Sequence, residues 1–379
     1  MKITNVEAYP VWGGSRNFLF VVVDTDAGIY GVGESGLTGR ELAVMGAIEH
    51  LRPLLIGQDP ARIGHIWQAL FRGGFFPAQR VVTSAMSAID IALWDIKGKA
   101  LGVPIYELLG GRVRDKVVCY PHNVGHSSEI TPLVESCLQT KQEGWKFVRW
   151  GLPQDGSVLE PRQAVRTAIR QLQAVREAVG EEIEITFDVH TRLDLPEVVW
   201  LCREVETLHP FFMEDPLRCE NPDSFKTLRL RTAVPLASGE QFSSKWEFRQ
   251  LIEEEWIDYA RIDLCIAGGF TEAVKIAGWC ETHYIKLAVH NPLGPISTAA
   301  CLQLNLACPN FGVQEQPRKP GTTLTDVVPV QPEWEDGYLL PPTRPGLGIE
   351  FDRQAAKMHP FQMAELPHLY RLDGSVTNW

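Results

Sequence analysis

Eight short apolar runs, each broken off by polar residues, follow one another between residues 117 and 316. They read VVCYPH (117–122), FVRWG (147–151), IEITFDVH (183–190), FFMEDP (211–216), VPLASGE (234–240), YARIDL (259–264), IKLAVH (285–290) and FGVQEQ (311–316). Short apolar runs bounded in this way suit strands buried on both faces. Between most of them lie stretches long enough for a helix, such as 163–179 and 270–282. Strands alternating with helices form parallel sheets, and eight such units close into a barrel. The competing arrangement, an open doubly wound sheet, lacks its GxGxxG after an early strand. The pattern predicts an α/β fold, with a (β/α)8-type, TIM-like but modified barrel over 116–335.

The flanking segments differ in character. Residues 1–115 read as an α+β unit, with strands at Phe18–Asp24 and Ile29–Gly33 joined by Thr25-Asp26-Ala27-Gly28. Helical spacing follows over 39–55, 60–72 and 83–101. Between the last two, Arg72-Gly73-Gly74-Phe75-Phe76-Pro77 reads as a hinged aromatic lid. Residues 336–379 are rich in proline and glycine, with too few periodic apolar residues for a core of their own. They are expected to pack back on the first domain.

Charge narrows the partners. The net charge of −11 and the absence of a Lys/Arg block argue against nucleic acid or an anionic membrane. No window approaches 18 uncharged apolar residues, so no membrane span is expected. The start, MKITNVEAYPVW, lacks the pattern of a signal peptide. Eight cysteines without a CxxC pair read as free thiols, which suits a cytoplasmic protein.

The last six runs end in Asp188, Glu214, Glu240, Asp263, His290 and Glu315, separated by 26, 26, 23, 27 and 25 residues. One barrel repeat spans about that length, so these side chains meet at the C-terminal mouth, where barrel active sites lie. Adjacent carboxylates there repel one another unless a cation neutralises them. Asp188, Glu214 and Glu240 offer hard oxygen ligands, which suit Mg²⁺. Asp263 beside His290 fixes the imidazole tautomer and raises its basicity, the arrangement of a general base. His190, two residues after Asp188, faces the same side and can act as general acid. Glu315 can meet a substrate carboxylate when protonated or pair with a cation. Asp215 is expected to cap the following loop. Glu34, His122 and His126 are candidates for the substrate-binding rim. Such groups suit removal of an α-proton from a carboxylate, expulsion of a β-hydroxyl and release of a 2-keto acid.

The sequence resembles the mandelate racemase subgroup of the enolase superfamily, and within it sugar-acid dehydratases of the galactonate type. FDVH (187–190), MEDP (213–216), SGEQ (238–241), RIDL (261–264), AVHNPLGP (288–295) and VQEQ (313–316) carry the likeness. LIGQDP (55–60), the stretch 84–111, AGG (267–269) and RPGLGIEFD (344–352) support it. The resemblance implies an N-terminal capping domain, with loops near 15–40 and 70–80 selecting the substrate. It also implies Mg²⁺ on Asp188, Glu214 and Glu240, an Asp263–His290 base, His190 as acid, Glu315 at the substrate carboxylate, and a homotetramer or octamer. Racemases of this subgroup carry Lys-x-Lys after the second strand. Here Arg149, a candidate substrate-binding residue, replaces the first lysine and Gly151 the second. Losing one of two opposed bases favours dehydration over racemisation. The readings weighed are a galactonate-like aldonate dehydratase, a mannonate or other aldonate or aldarate dehydratase, a 2-hydroxy-acid racemase or epimerase, and a regulatory barrel of weak activity.

Overall fold

The computed structural model describes residues 1–123 and 127–379. Strands β1 (Ile3–Trp12), β2 (Asn17–Thr25) and β3 (Tyr30–Ser35) form an antiparallel sheet with β2 central. The sequence reading missed β1, whose register shifts between Ile3 and Asn5 and so breaks strict alternation. On β2, alternation couples two cores. Phe18, Phe20 and Val22 join the barrel's core, while Leu19, Val21 and Val23 join that of helices α1 (Glu41–Leu55), α2 (Ile63–Arg72) and α3 (Arg80–Leu101). Gly31 and Gly33 let β3 lie against α3. A Cβ at either would fall 1.9 Å from the carbonyl oxygen of Ala92 or Ala88. Two buried carboxylates on α3 fasten the layers. Asp90 accepts from the Thr271 amide (3.1 Å), and Asp95 from the amides of Val32 (3.1 Å) and Leu347 (2.8 Å).

A short helix, α4 (Ile105–Leu108), leads into the barrel. Its strands are β4 (Val117–Tyr120), β5 (Phe147–Gly151), β6 (Glu184–Asp188), β7 (Phe212–Glu214), β8 (Leu236–Ser238), β9 (Tyr259–Ala260), β10 (Lys286–Val289) and β11 (Phe311–Glu315). Every one lies inside an apolar run of the sequence. β5 to β11 run parallel in chain order and β11 pairs with β4. At the remaining seam the Asn123 amide donates to the Arg149 carbonyl at 2.9 Å. Rings of Tyr120, Phe147, Phe212 and Tyr259 fill the interior, so the barrel is a packed core. Seven crossover helices follow β4 to β10: α5 (Ile130–Gln142), α6 (Pro161–Val179), α7 (Leu195–Val205), α8 (Asp223–Arg229), α9 (Lys245–Glu253), α10 (Gly269–Thr282) and α11 (Pro295–Ala307). In place of an eighth, the chain makes the hairpin β12 (Trp334–Glu335) and β13 (Tyr338–Leu339), and β13 adds antiparallel to β4.

The C-terminal segment divides. Its first part lies on the N-terminal domain. Phe351 packs edge-on against Tyr9 and Phe20, Arg353 pairs with Asp24, and the His359 carbonyl accepts from Trp12. The expectation fails for the last ten residues. The Leu159 amide bonds the Tyr370 carbonyl at 2.9 Å, which turns the tail back to the barrel and brings Trp379 to its mouth. All eight cysteines are free thiols, and seven are buried. No helix among the described residues is long and apolar enough to cross a membrane.

Candidate active site

The strand ends line up as the spacing requires: Asp188 on β6 pairs in register with Glu214 on β7. Immediately beyond them the backbone is left-handed at His190 (φ 52°), Thr191 (φ 55°) and Asp215 (φ 37°). Non-glycine residues hold that conformation at a cost of about 1–3 kcal/mol each, and such strain gathers at functional sites. Here it re-aims side chains at the top of two neighbouring strands. A cavity of about 570 Å³ opens over them, lined by Asp188, His190, Glu240, His290 and Glu315, with His122, Arg149 and Arg16 on its walls.

Among these groups His290 has the clearest hydrogen-bond geometry. Its Nδ1 lies 2.8 Å from Asp263 Oδ2, and Asp263 Oδ1 accepts from the Cys265 amide at 2.7 Å. A carboxylate fixed in this way takes the Nδ1–H and leaves Nε2 with a free lone pair. Nε2 stands 3.4 Å from Glu240 Oε2 and 3.9 Å from Glu315 Oε2. Burial pulls the imidazole pKa down, but Glu240, Glu315 and Asp263 overcome it and lift the value to about 9. His190 lines the same cavity, its ring edge-on to Trp379 at 5.2 Å. Burial holds its pKa below the ordinary histidine value, with Asp188 and Glu240 only partly offsetting.

Two guanidinium groups sit among the carboxylates. Arg149 Nη2 donates to Asp188 Oδ2 (2.6 Å) and Glu214 Oε1 (2.9 Å). Arg261, fully buried, reaches Glu214 (3.0 Å), Asp215 (2.8 Å), Glu240 (2.9 Å) and Glu315 (3.1 Å). Asp188, Glu214, Asp215, Glu240 and Glu315 thus face two arginines, and this excess of negative charge with all-oxygen donors fits a hard divalent cation. The tightest cluster is Glu214, Asp215 and Glu240, whose ligand atoms lie within 4.8 Å of one another. Arg149 bridges Asp188 to this cluster through Glu214. Burial raises Glu214 to about 7 against the pull of both arginines and lifts Asp215 well above its ordinary value, so both carboxyls gain from a further positive charge.

Four sequence expectations need revision in detail. Asp215 does not cap a loop: its oxygens bind Arg261 Nε and accept from Ser238 Oγ at 3.1 Å. Glu34 does not stand on the rim. It is fully buried and accepts from the amides of Gly294 (2.7 Å) and Ser297 (2.8 Å), anchoring the start of α11. Arg149 binds the Asp188–Glu214 pair. Glu315 is not poised as a protonated donor. Arg261 holds it well below the ordinary carboxylate range against burial, and its Oε1 meets His122 Nε2 at 2.6 Å. His122 does line the cavity, and burial with the nearby Arg149 lowers its pKa to about 4. His126 lies outside the described residues.

Arg261 is the residue sequence reading passed over. It lies two positions before Asp263 in the run YARIDL, which was the available signal. Arg261→Met should destabilise the protein by about 3–5 kcal/mol, because four buried carboxylates lose their common partner. Urea unfolding of variant and parent measures this, and an unchanged midpoint would mean the carboxylates are satisfied otherwise. The lid loop behaves differently. Phe75 and Phe76 are 95% and 81% exposed, pack edge-on to each other, and do not line the cavity. Replacing either by alanine should change stability by less than about 0.5 kcal/mol, yet lower kcat/KM if the loop closes during turnover. Steady-state kinetics equal to the parent's on every acid would show that the loop selects nothing.

Comparison with known proteins agrees with this architecture. Residues 13–110 match the mandelate racemase / muconate lactonizing enzyme N-terminal domain, and residues 133–355 the enolase C-terminal domain-like family. The chain is 36% identical to a D-galactonate dehydratase of Ralstonia nicotianae, over 100% of both chains. It is equally 36% identical to a D-mannonate dehydratase of Caulobacter vibrioides, over 96% of both. A crystal structure of an enolase from Pantoea ananatis with bound D-gluconate and Mg superposes with a TM-score of 0.93 at 32% identity, over 100% of this chain and 99% of that one.

Proposed function

Because the chain belongs to the mandelate racemase / muconate lactonizing enzyme family of the enolase superfamily, we propose that it is a sugar-acid dehydratase acting on a galactonate-like acid. On this reading it converts the acid to a 2-keto-3-deoxy acid. Its class is that of a metal-dependent hydro-lyase. The observation that carries the finer reading is the His290–Asp263 dyad opening onto the same cavity as Asp188 and Glu240.

Asp188, Glu214 and Glu240 would hold the cation, read as Mg²⁺. A divalent cation bound there supplies the positive charge that stabilises the dianion formed when an α-proton leaves a carboxylate. His290 Nε2 takes the α-proton, and the Asp263 carboxylate balances the positive charge that appears on the ring. Glu240 provides the chief lift on His290, a pull that would weaken with a cation held by Glu240. His190, which lines the same cavity, gives a proton to the departing β-hydroxyl. Gly151 leaves the α-carbon's second face without a base. The β5 position two residues earlier on that face is Arg149, which is tied to two carboxylates. That asymmetry supports elimination over racemisation.

Identity to the two dehydratases is the same, so overall likeness does not choose the sugar. A stereochemically complete library of six-carbon sugar acids, assayed for 2-keto acid with Mg²⁺ present, tests the reading. One or a few galactonate-related acids should turn over. No 2-keto acid from any member would overturn the reading.

A further inference from the structure

The two partners of the base come from different loops. His290 follows the end of β10 and Asp263 lies beyond the end of β9, so their 2.8 Å approach depends on how the two loops are held. Both are held from the first domain, at the end of β3. Glu34, fully buried on β3, accepts from the Gly294 amide at Oε1 (2.7 Å) and from the Ser297 amide at Oε2 (2.8 Å). Gly294 immediately precedes α11 and Ser297 lies in its first turn, where amides have no partner within the helix. No side chain at the N-cap position of α11 caps it, so Glu34 does this from the other domain. Two residues on, the Gly36 amide donates to the Cys265 carbonyl at 3.0 Å, and the Cys265 amide in turn holds Asp263 Oδ1. The fit is close on both sides. A Cβ at Gly294 would fall 2.7 Å from Glu34 Oε1, and one at Gly36 would fall 2.5 Å from Ile266 Cγ1.

Burying a carboxyl group between two domains is costly, and an apolar side chain would fill the space without that cost. Bonds to two defined amides do what apolar packing does not: they fix the backbone that leads from His290 into α11. We propose that Glu34 is a positioning residue for the base, holding the His290 loop where Nδ1 meets Asp263. Glu34 does not line the cavity, so it acts through the loop. The inference rests on the reading of His290 as the base and adds the residue that sets it in place.

The test compares the parent with Glu34→Gln, which keeps the shape but sets amide hydrogens against one of the two donors. Gly294→Ala disturbs the same contact from the other side and takes its place should Glu34→Gln not fold. Ile48→Ala is the control, since it opens the core of α1, α2 and α3, a cluster that includes no residue of either loop. Rates are expressed per folded protein, with the best library acid and Mg²⁺. Glu34→Gln should lower kcat about 10- to 100-fold, the scale of a small misplacement of a reacting group, with KM and Mg²⁺ affinity changed less than about threefold. Exchange of the α-hydrogen with solvent should fall with kcat, because both need the base. In ligand-free protein carrying isotope-labelled histidine, the His290 Nδ1–H resonance, identified by its loss in His290→Asn, should shift or broaden. Ile48→Ala should lower Tm yet leave kcat and that resonance as in the parent. Parent-like kcat and resonance in Glu34→Gln, with only Tm lowered, would make Glu34 a structural cap and overturn the inference, as would a loss carried by KM alone. Should no acid give a 2-keto acid with the parent, the dehydratase reading falls and the resonance alone decides. Shifted in Glu34→Gln, it upholds the placement of His290 by Glu34; unchanged, it overturns it.

Discussion

His290→Asn should bind Mg²⁺ and substrate yet show neither dehydration nor exchange of the α-hydrogen with solvent deuterium. Asparagine keeps size and hydrogen bonding but offers no lone pair of imidazole basicity at the position of Nε2. Loss of a general base costs about 10²–10⁴ in rate. His290 is prepared for this role by Asp263, 2.8 Å from Nδ1, which is itself held by the Cys265 amide. His190→Asn should fail differently. His290 can still form the enolate and return the proton, so dehydration falls by about 10²–10⁴ while slow α-exchange with retained configuration survives. Proton NMR of the true substrate in deuterated buffer separates the two. Exchange that persists in His290→Asn, with His190→Asn silent in both reactions, would exchange the assignments.

Removing the metal should be equally severe. Chelation should abolish turnover, with Mg²⁺ or Mn²⁺ restoring it, because the five floor carboxylates outnumber the two arginines, Arg149 and Arg261, that face them. Glu214→Gln should weaken metal binding while leaving the fold intact, since the barrel interior rests on Tyr120, Phe147, Phe212 and Tyr259. Glu214 tells most because burial already pushes its carboxyl up to about 7, so it ionises fully only with further positive charge nearby. Full turnover in rigorously metal-free protein would contradict the assignment, as would unchanged Mg²⁺ affinity in Glu214→Gln.

The barrel was legible because its strands are largely buried on both faces and so read as mostly apolar runs. Phe187, Met213, Ala237 and Ala288 all sit inside such runs. The strand-end polar residues were legible for a geometric reason: a repeat of about 25 residues returns the chain to the same height on the next strand. What the sequence hid was partnership. Nothing in one strand shows that Arg261 meets four carboxylates from three others, or that Arg149 bridges Asp188 and Glu214. Glu34 misled because an acidic residue at a strand end looks alike whether it faces a cavity or caps a buried helix start. The tail misled because proline- and glycine-rich chain gives no pattern from which its return to the barrel at Tyr370 could be read.

The central claim is that this site removes an α-proton and expels the β-hydroxyl of a sugar acid. Proton NMR of the parent protein with its best library acid, in deuterated buffer with Mg²⁺, tests it most directly. The account predicts loss of the C2 proton together with a 2-keto-3-deoxy acid carrying one deuterium at C3. Deuterium entering at C2 without any 2-keto acid would show a racemase or epimerase and contradict it.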